Sequence, residues 1–241
     1  MTRLTSKTLL LIFGLLSSAA ASPSLAQAED PDPKRYDAQI QQFLRWDAKN
    51  TAPRNAILFV GSSSIVGWKT ASRFAGLPVI NRGFGGSHIS DVVHYLDETV
   101  LRHRPRAVVF YAGDNDVAAG KSPEQVRDDY REFVDGLHAM HPGTPVVFLA
   151  IKPSTARWSH WPTMQQANAL IAADSATDPA LYVLDMADEL LGPDGKPREE
   201  LLIADGLHLT AAGYDVWTRR TLETLAELGL APLREVASSQ P

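Results

Sequence analysis

Five short apolar runs, separated by segments of helical periodicity, constrain the fold of this 241-residue chain more than any other feature. Each run is rich in Val, Ile, Leu or Phe with little polar alternation, which is typical of strands buried on both faces. The runs lie at residues 56–60, 78–80, 107–111, 146–151 and 181–184. Apolar residues recur at helical spacing at about 88–104, 123–140, 161–174 and 211–229.

This alternation of strands and helices predicts an α/β fold built on a parallel sheet. Five strands favour a flavodoxin-like, three-layer architecture with strand order 2-1-3-4-5 over a closed barrel. Ahead of the first strand, apolar residues from Tyr36 to Leu44 show helical spacing. We therefore predict a linker and N-terminal helix at 29–53, one domain at 54–232 and a C-terminal tail at 233–241.

Residues 1–28 have the pattern of a secretory signal peptide. Arg3 and Lys7 precede an apolar core at residues 9–16, and Ala26-Gln27-Ala28 fits the small-x-small cleavage pattern. We expect cleavage after Ala28 and a periplasmic or secreted product with no stable membrane insertion; an uncleaved N-terminal anchor is the alternative. The chain has no cysteine, which excludes disulfides, thiolate metal ligands and a cysteine nucleophile.

The charge and the loop sequences narrow the possible partners. The formal net charge is −5, which argues against nucleic acid because phosphates require Lys and Arg. Neither a metal nor another cofactor is predicted. The glycine-rich sequence from Gly83 has His88 where a dinucleotide-binding loop needs its last glycine. The sequence Asp114-Asn115-Asp116 lacks the later glycine and glutamate of a calcium loop.

Polar or glycine-rich sequences follow the first three strands and precede the last helix. They are Gly61-Ser62-Ser63-Ser64, Asn81-Arg82-Gly83-Phe84-Gly85-Gly86, Gly113-Asp114-Asn115-Asp116 and Asp205-Gly206-Leu207-His208. Ligands of open α/β sheets bind outside the carboxyl ends of the strands, so we expect these sequences to share one rim. Together they supply a hydroxyl, a histidine with a carboxylate, and hydrogen-bond donors, which acyl transfer requires.

These four blocks, in this order across residues 56–217, resemble the SGNH superfamily of hydrolases, also called GDSL esterases or lipases. The resemblance implies Ser63 as nucleophile, with Asp205 and His208 as its acid–base partners. It also implies an oxyanion hole formed by Ser63, Gly86 and Asn115. The implied reaction is hydrolysis of a small acyl ester, an O-acetylated sugar or a lipid ester through an acyl-enzyme.

One block departs from the family pattern. Gly-Asp-Ser-Leu reads Gly-Ser-Ser-Ser here, with Ser62 and Ser64 in place of Asp and Leu. The first and last blocks also have structural explanations, because Ser63 or Asp205 could cap a helix and His208 could lie on the surface.

Three further side chains on the predicted rim are candidates for binding the substrate. They are His88, Lys152 and Trp158. His88 could instead begin a helix, and the tryptophan could pack in the core. A non-catalytic envelope or carbohydrate-binding protein on the same fold is the alternative function, because a fold alone does not determine function.

Overall fold

The structure is a computed structural model that describes residues 28–232. The predicted signal peptide, apart from Ala28, and the predicted tail at 233–241 lie outside the described residues. One sheet contains the strands β1 Ile57–Gly61, β2 Val79–Gly83, β3 Ala107–Tyr111, β4 Val146–Leu149 and β5 Leu181–Leu184. All neighbouring strands are parallel and their order is β2-β1-β3-β4-β5, which confirms the predicted fold class.

Ten α-helices connect or flank these strands within residues 28–232. They are α1 Asp37–Lys49, α2 Ser63–Gly67, α3 Thr70–Arg73, α4 Ile89–His94, α5 Leu96–Thr99, α6 Asp114–Ala118, α7 Pro123–Met140, α8 Trp161–Ser175, α9 Ala187–Leu190 and α10 Ala211–Glu227. The predicted helices at 123–140, 161–174 and 211–229 correspond closely to α7, α8 and α10. The short helices α2, α3, α6 and α9 have only four or five residues, too few to show helical periodicity.

The helical pattern at about 88–104 does not form one continuous helix, because the chain there forms α4, α5 and a 3₁₀ turn at Leu101–His103. Backbone angles leave helical geometry between α4 and α5 and again at Val100, where φ is −125°. The Thr99 hydroxyl donates to the carbonyl of Tyr95 at 2.7 Å. Such bonds to the preceding turn bend helices, although the apolar spacing continues through the bends.

Successive residues of the central strands face opposite layers of helices. Leu58 of β1 belongs to the core on the α7 side, whereas Phe59 packs in the opposite core with Trp217 of α10. All three side chains are fully buried. Burial of each such side chain contributes about 1.5–3 kcal/mol, so both cores stabilise the central strands. The carboxyl ends of β1, β2 and β3 are thereby held at one edge of the sheet.

The predicted linker contacts the domain. The Asp30 carboxylate accepts a hydrogen bond from the Ser90 hydroxyl at 2.5 Å and pairs with the buried Lys121.

None of the helices within residues 28–232 has the length and hydrophobicity of a membrane-spanning segment.

Candidate active site

The first serine-rich block forms a tight turn from β1 into α2. Gly61 has φ +133°, and a Cβ there would lie 1.8 Å from the carbonyl oxygen of Tyr111. This close approach lets the Ser62 N–H donate to the same carbonyl at 2.9 Å. Ser62 and Ser64 are buried, whereas Ser63 is half-buried at the start of α2. The turn therefore directs Ser63, rather than its neighbours, toward the rim.

Ser63, His208 and Asp205 form a continuous hydrogen-bonded chain. The His208 ring approaches Ser63 Oγ through Nε2 at 2.8 Å and Asp205 Oδ2 through Nδ1 at 2.6 Å. A histidine that donates its Nδ1–H to a carboxylate presents Nε2 as the acceptor for a serine hydroxyl. The structure thus brings together three side chains that the sequence separates by up to 145 positions.

The carboxylate of Asp205 is also held by its own turn. Its Oδ1 accepts the backbone N–H groups of Leu207 at 2.8 Å and His208 at 3.0 Å. The bond from the His208 ring, followed by these two backbone bonds, lowers the pKa of Asp205 to about 2. Asp205 is consequently a carboxylate at neutral pH, in position to orient the imidazole.

Ser63 and Asp205 could have been helix caps, but other residues occupy the N-cap positions of α2 and α10. The N-cap of α10 is Thr210, whose side chain accepts the Gly213 N–H at 3.2 Å. Ser62 occupies the N-cap position of α2, and its side chain makes no capping bond. Neither Asp205 nor Ser63 is therefore explained as a helix cap.

Three candidate hydrogen-bond donors lie at or just after the carboxyl ends of β1, β2 and β3, on Ser63, Gly86 and Asn115 respectively. A Cβ added at Gly85 would lie 3.8 Å from the Ser63 Cβ, which places the β2 loop against the nucleophile turn. Gly86 follows in a left-handed conformation with φ +80°. Within residues 28–232, the backbone N–H groups of Ser63 and Gly86 donate to no other group. The Asn115 Nδ2 donates to the Ser87 carbonyl at 3.0 Å and retains a second hydrogen.

Arg157 is part of this site, and the sequence reasoning did not identify it. Its Nη2 donates to Asn115 Oδ1 at 2.7 Å, and its Nη1 lies 2.9 Å from Asp114 Oδ2. The available signal was its place in the segment that follows β4, on the predicted rim. That signal shows neither the direction of the side chain nor its partner.

Lys152 was predicted to contact the substrate, and the structure places its side chain in the interior, so that contact stays a prediction. The residue is only 2% exposed, and its Nζ donates to the carbonyl of Leu207 at 2.6 Å. Burial lowers the pKa of Lys152 to about 8. The ammonium group therefore contacts the turn between Asp205 and His208 from the interior.

His88 is likewise buried. It lies at the start of α4, in agreement with the alternative that this residue begins a helix. Its backbone N–H donates to the Asp91 carboxylate at 2.8 Å. Its ring Nδ1 lies 3.9 Å from the carboxylates of Asp30 and Asp116. Burial, followed by the charge of Lys121, lowers the pKa of His88 to about 4. The ring is therefore neutral and enclosed in this structure, and its predicted contact with substrate stays a prediction.

Trp158 is half-buried beside the core and stacks on Trp161, with ring centroids 6.3 Å apart. Its predicted contact with substrate stays a prediction.

Within residues 28–232, no cluster of three or more His, Asp or Glu side chains has a geometry that would hold a metal ion.

Known proteins share this architecture. The sequence profile of the GDSL-like lipase/acylhydrolase family matches residues 58–216. A GDSL-like lipase from Bacteroides thetaiotaomicron has a TM-score of 0.68 and 19% identity, over 79% of this chain and 98% of that chain. The lipase/acylhydrolase from Enterococcus faecalis has a TM-score of 0.60 and 19% identity, over 75% and 100%. A serine-to-alanine variant of an acetyl esterase, with an acetate ion, has a TM-score of 0.58 and 16% identity, over 72% and 98%.

A comparison with functionally curated proteins gives no significant match. The similarities to solved structures are at low identity and concern the fold. The family profile is more informative, because its match extends from β1 into α10 and includes all four sequence blocks. It also spans more than half of the chain. On that basis, the chain belongs to the GDSL-like lipase/acylhydrolase family.

Proposed function

We propose that this protein is a carboxylic ester hydrolase in which Ser63 is the nucleophile. The observation that carries the proposal is the chain of short contacts from Ser63 Oγ through the His208 ring to Asp205. A serine hydroxyl is a weak nucleophile until an adjacent base accepts its proton. Histidine suits this role because its ordinary pKa lies near neutrality.

In the proposed acylation step, Ser63 Oγ attacks the ester carbonyl carbon while its proton moves to His208 Nε2. Asp205 stabilises the imidazolium that results. The tetrahedral intermediate collapses, the carbon–oxygen bond to the alcohol breaks, and the departing oxygen takes the proton from His208. An acyl ester of Ser63 and the free alcohol are the products of this step.

Water completes the proposed cycle. His208 accepts a proton from the water as its oxygen attacks the acyl carbon, and then returns that proton to Ser63 as the carboxylic acid leaves. In both steps negative charge develops on the former carbonyl oxygen. The N–H groups of Ser63 and Gly86 and the Asn115 amide would stabilise it, and losing one such donor typically costs about 100- to 1,000-fold in rate.

The substrate that we propose is a small acyl ester or an O-acetylated sugar, with lipid esters as the less favoured class. The exposed large hydrophobic side chains of residues 28–232 are Trp46, Val66, Met140 and Ile203. They lie on three different helices and one loop, an arrangement that does not suggest the contiguous apolar patch that marks contact with lipid.

The test is hydrolysis of p-nitrophenyl acetate by residues 29–241, followed by a series of longer acyl esters and acetylated glycans. We expect activity that falls with acyl length and disappears in Ser63→Ala. Ser62→Ala and Ser64→Ala are matched controls, because both side chains are buried beside the nucleophile and should leave most activity intact. A folded protein without activity on any ester would favour the non-catalytic carbohydrate-binding alternative.

We also propose that the protein is exported, on the basis of the sequence of residues 1–28. Mass spectrometry of protein from the periplasm or medium should find Glu29 at the N-terminus. Recovery of the full-length chain from the cytoplasm alone would contradict export.

A further inference from the structure

The side-chain amide of Asn115 is held at both of its ends. Nδ2 donates to the Ser87 carbonyl at 3.0 Å, on the loop that also carries Gly86. Oδ1 accepts from Arg157 Nη2 at 2.7 Å, on the loop that follows β4. A donor and an acceptor from two different loops therefore meet the two ends of one amide.

These two contacts allow one orientation of the amide. If it rotated by 180°, the Asn115 oxygen would face the Ser87 carbonyl and the nitrogen would face the Arg157 guanidinium. Both pairings would be repulsive, because a carbonyl only accepts and a guanidinium only donates hydrogen bonds. The observed orientation leaves the second Nδ2 hydrogen without a partner among residues 28–232.

The guanidinium of Arg157 is itself held in place. Its Nη1 lies 2.9 Å from Asp114 Oδ2, and the two side chains are 18% and 4% exposed. A charge pair shielded from water in this way interacts more strongly than one on the surface. Asp114 and Asn115 are adjacent in the chain, so the planar guanidinium bridges two neighbouring side chains of α6.

The segment 152–157 also contacts the histidine turn. The Ala156 N–H donates to the Gly206 carbonyl at 3.0 Å, and Lys152 Nζ donates to the Leu207 carbonyl at 2.6 Å. Arg157 thus belongs to a stretch that contacts both the Asn115 loop and the turn between Asp205 and His208.

We propose that Arg157 is a positioning residue of the oxyanion hole, which acts by orienting the Asn115 amide toward the substrate oxygen. This inference rests on the proposed ester hydrolysis for its kinetic consequences. Arg157 would contribute to the rate through Asn115, not through its own contact with the ester. Its effect should therefore depend on whether Asn115 is present.

A double-mutant cycle tests this dependence, with Arg157→Met, Asn115→Ala and the double variant. Because a hydrogen bond from a charged donor is lost, Arg157→Met should lower kcat roughly ten-fold or more with little change in KM. Adding it to Asn115→Ala should change kcat by less than about two-fold, since coupled residues are not additive. Arg157→Lys, which keeps the charge but loses the planar fork, should recover only part of the rate.

Arg131→Met is the matched control, because Arg131 is 59% exposed on α7 and lies 3.6 Å from Asp174. It should retain wild-type kcat. Rates are to be normalised to the active fraction, measured by the acylation burst, so that partial unfolding does not count as a catalytic defect. Equal losses from Arg157→Met with and without Asn115 would overturn the proposal. A raised KM at unchanged kcat would overturn it too, in favour of direct substrate contact.

A crystal structure of Arg157→Met supplies a readout that does not depend on activity. The Asn115 amide should rotate away or lose its contact with Ser87. An unchanged amide with its 3.0 Å contact intact would overturn the positioning role. If the wild type hydrolyses no ester, the proposed function fails, and the crystal structure still decides whether Arg157 orients Asn115.

Discussion

In the proposed mechanism, Asn115 would offer the substrate oxygen a side-chain donor, whereas Ser63 and Gly86 would offer backbone groups that substitution does not remove cleanly. Asn115→Ala should lower kcat by about 100-fold or more and change KM little, because the donor acts mainly on the charged transition state. Circular dichroism and thermal melting should show a folded variant. Single-turnover kinetics provides the decisive measurement, and an unchanged acylation rate would contradict the role of Asn115.

Lys152 is a buried cation. Its burial lowers the free energy of unfolding, but its hydrogen bond to the Leu207 carbonyl holds the turn between Asp205 and His208. Burial lowers its pKa from 10.5 to about 8, so holding the charge at pH 7 costs about 3 kcal/mol. Lys152→Met removes that cost but leaves the Leu207 carbonyl without its donor, a loss of about 1–3 kcal/mol. We expect the free energy of unfolding to stay within about 1 kcal/mol of wild type, since the two effects offset.

The same variant should lose activity, roughly ten-fold in kcat, because small misplacements of catalytic groups are costly. Its stability should also differ from wild type in pH dependence. Between pH 8 and 10.5 the unfolded wild type binds more protons than the folded one, so wild type gains stability over the variant as the pH rises. Urea unfolding across this range measures the gain. A large loss of stability with wild-type kcat would show that Lys152 is only structural.

At the scale of secondary structure, the turn from β1 into α2 depends on Gly61. A methyl group at this position would meet the Tyr111 carbonyl of β3 at 1.8 Å, so the two central strands would have to separate. Gly61→Ala should therefore cost at least about 3 kcal/mol of unfolding free energy and displace Ser63.

Gly76→Ala is the control that separates this clash from backbone strain. Gly76 also has a positive φ, +91°, but has no atom within 4 Å of its added Cβ. Backbone strain alone should lower the free energy of unfolding of Gly76→Ala by about 1 kcal/mol, without loss of kcat. Equal destabilisation by the two substitutions, measured by urea unfolding, would show that the contact with Tyr111 is unimportant.

For the molecule as a whole, the N-terminal helix α1 joins the domain through a buried charged cluster. Asp47 of α1 pairs with Arg82 of β2 and lies 3.6 Å from the His103 ring; Arg102 approaches the same carboxylate at 3.9 Å. Burial, followed by the charge of Arg82, lowers the pKa of His103. This histidine is therefore neutral when the folded protein is at neutral pH.

Acid should weaken the folded state through His103. As the pH falls below about 6.5, the unfolded chain binds a proton that the folded protein does not, so stability falls until the lowered folded pKa is reached. Between pH 6.5 and 4, wild type should lose on the order of 2 kcal/mol of unfolding free energy through this residue, and His103→Gln should not show that loss. Urea unfolding of both proteins at several pH values checks this, and parallel curves would contradict it. Activity at pH 7 serves as the control and should be unchanged.

The sequence alone determined the fold class and the part of the site that depends on local rules. Five apolar runs specify strands buried on both faces, and the carboxyl ends of parallel strands must share one edge. Gly61, Ser63 and Asn115 accordingly lie at or just after the carboxyl ends of β1 and β3, and the turn from Asp205 to His208 reaches Ser63. The roles that the family resemblance implies for these residues stay predictions until kinetics tests them.

Only the tertiary structure decided how side chains on that rim are directed. Lys152 and Arg157 follow the same strand, yet one points inward to Leu207 and the other to Asn115. The apolar spacing at 88–104 likewise gave no indication of where the helix breaks. Such outcomes depend on contacts between elements that lie far apart in the chain, and hydrophobic periodicity reports which face of an element is buried but not which distant group it meets.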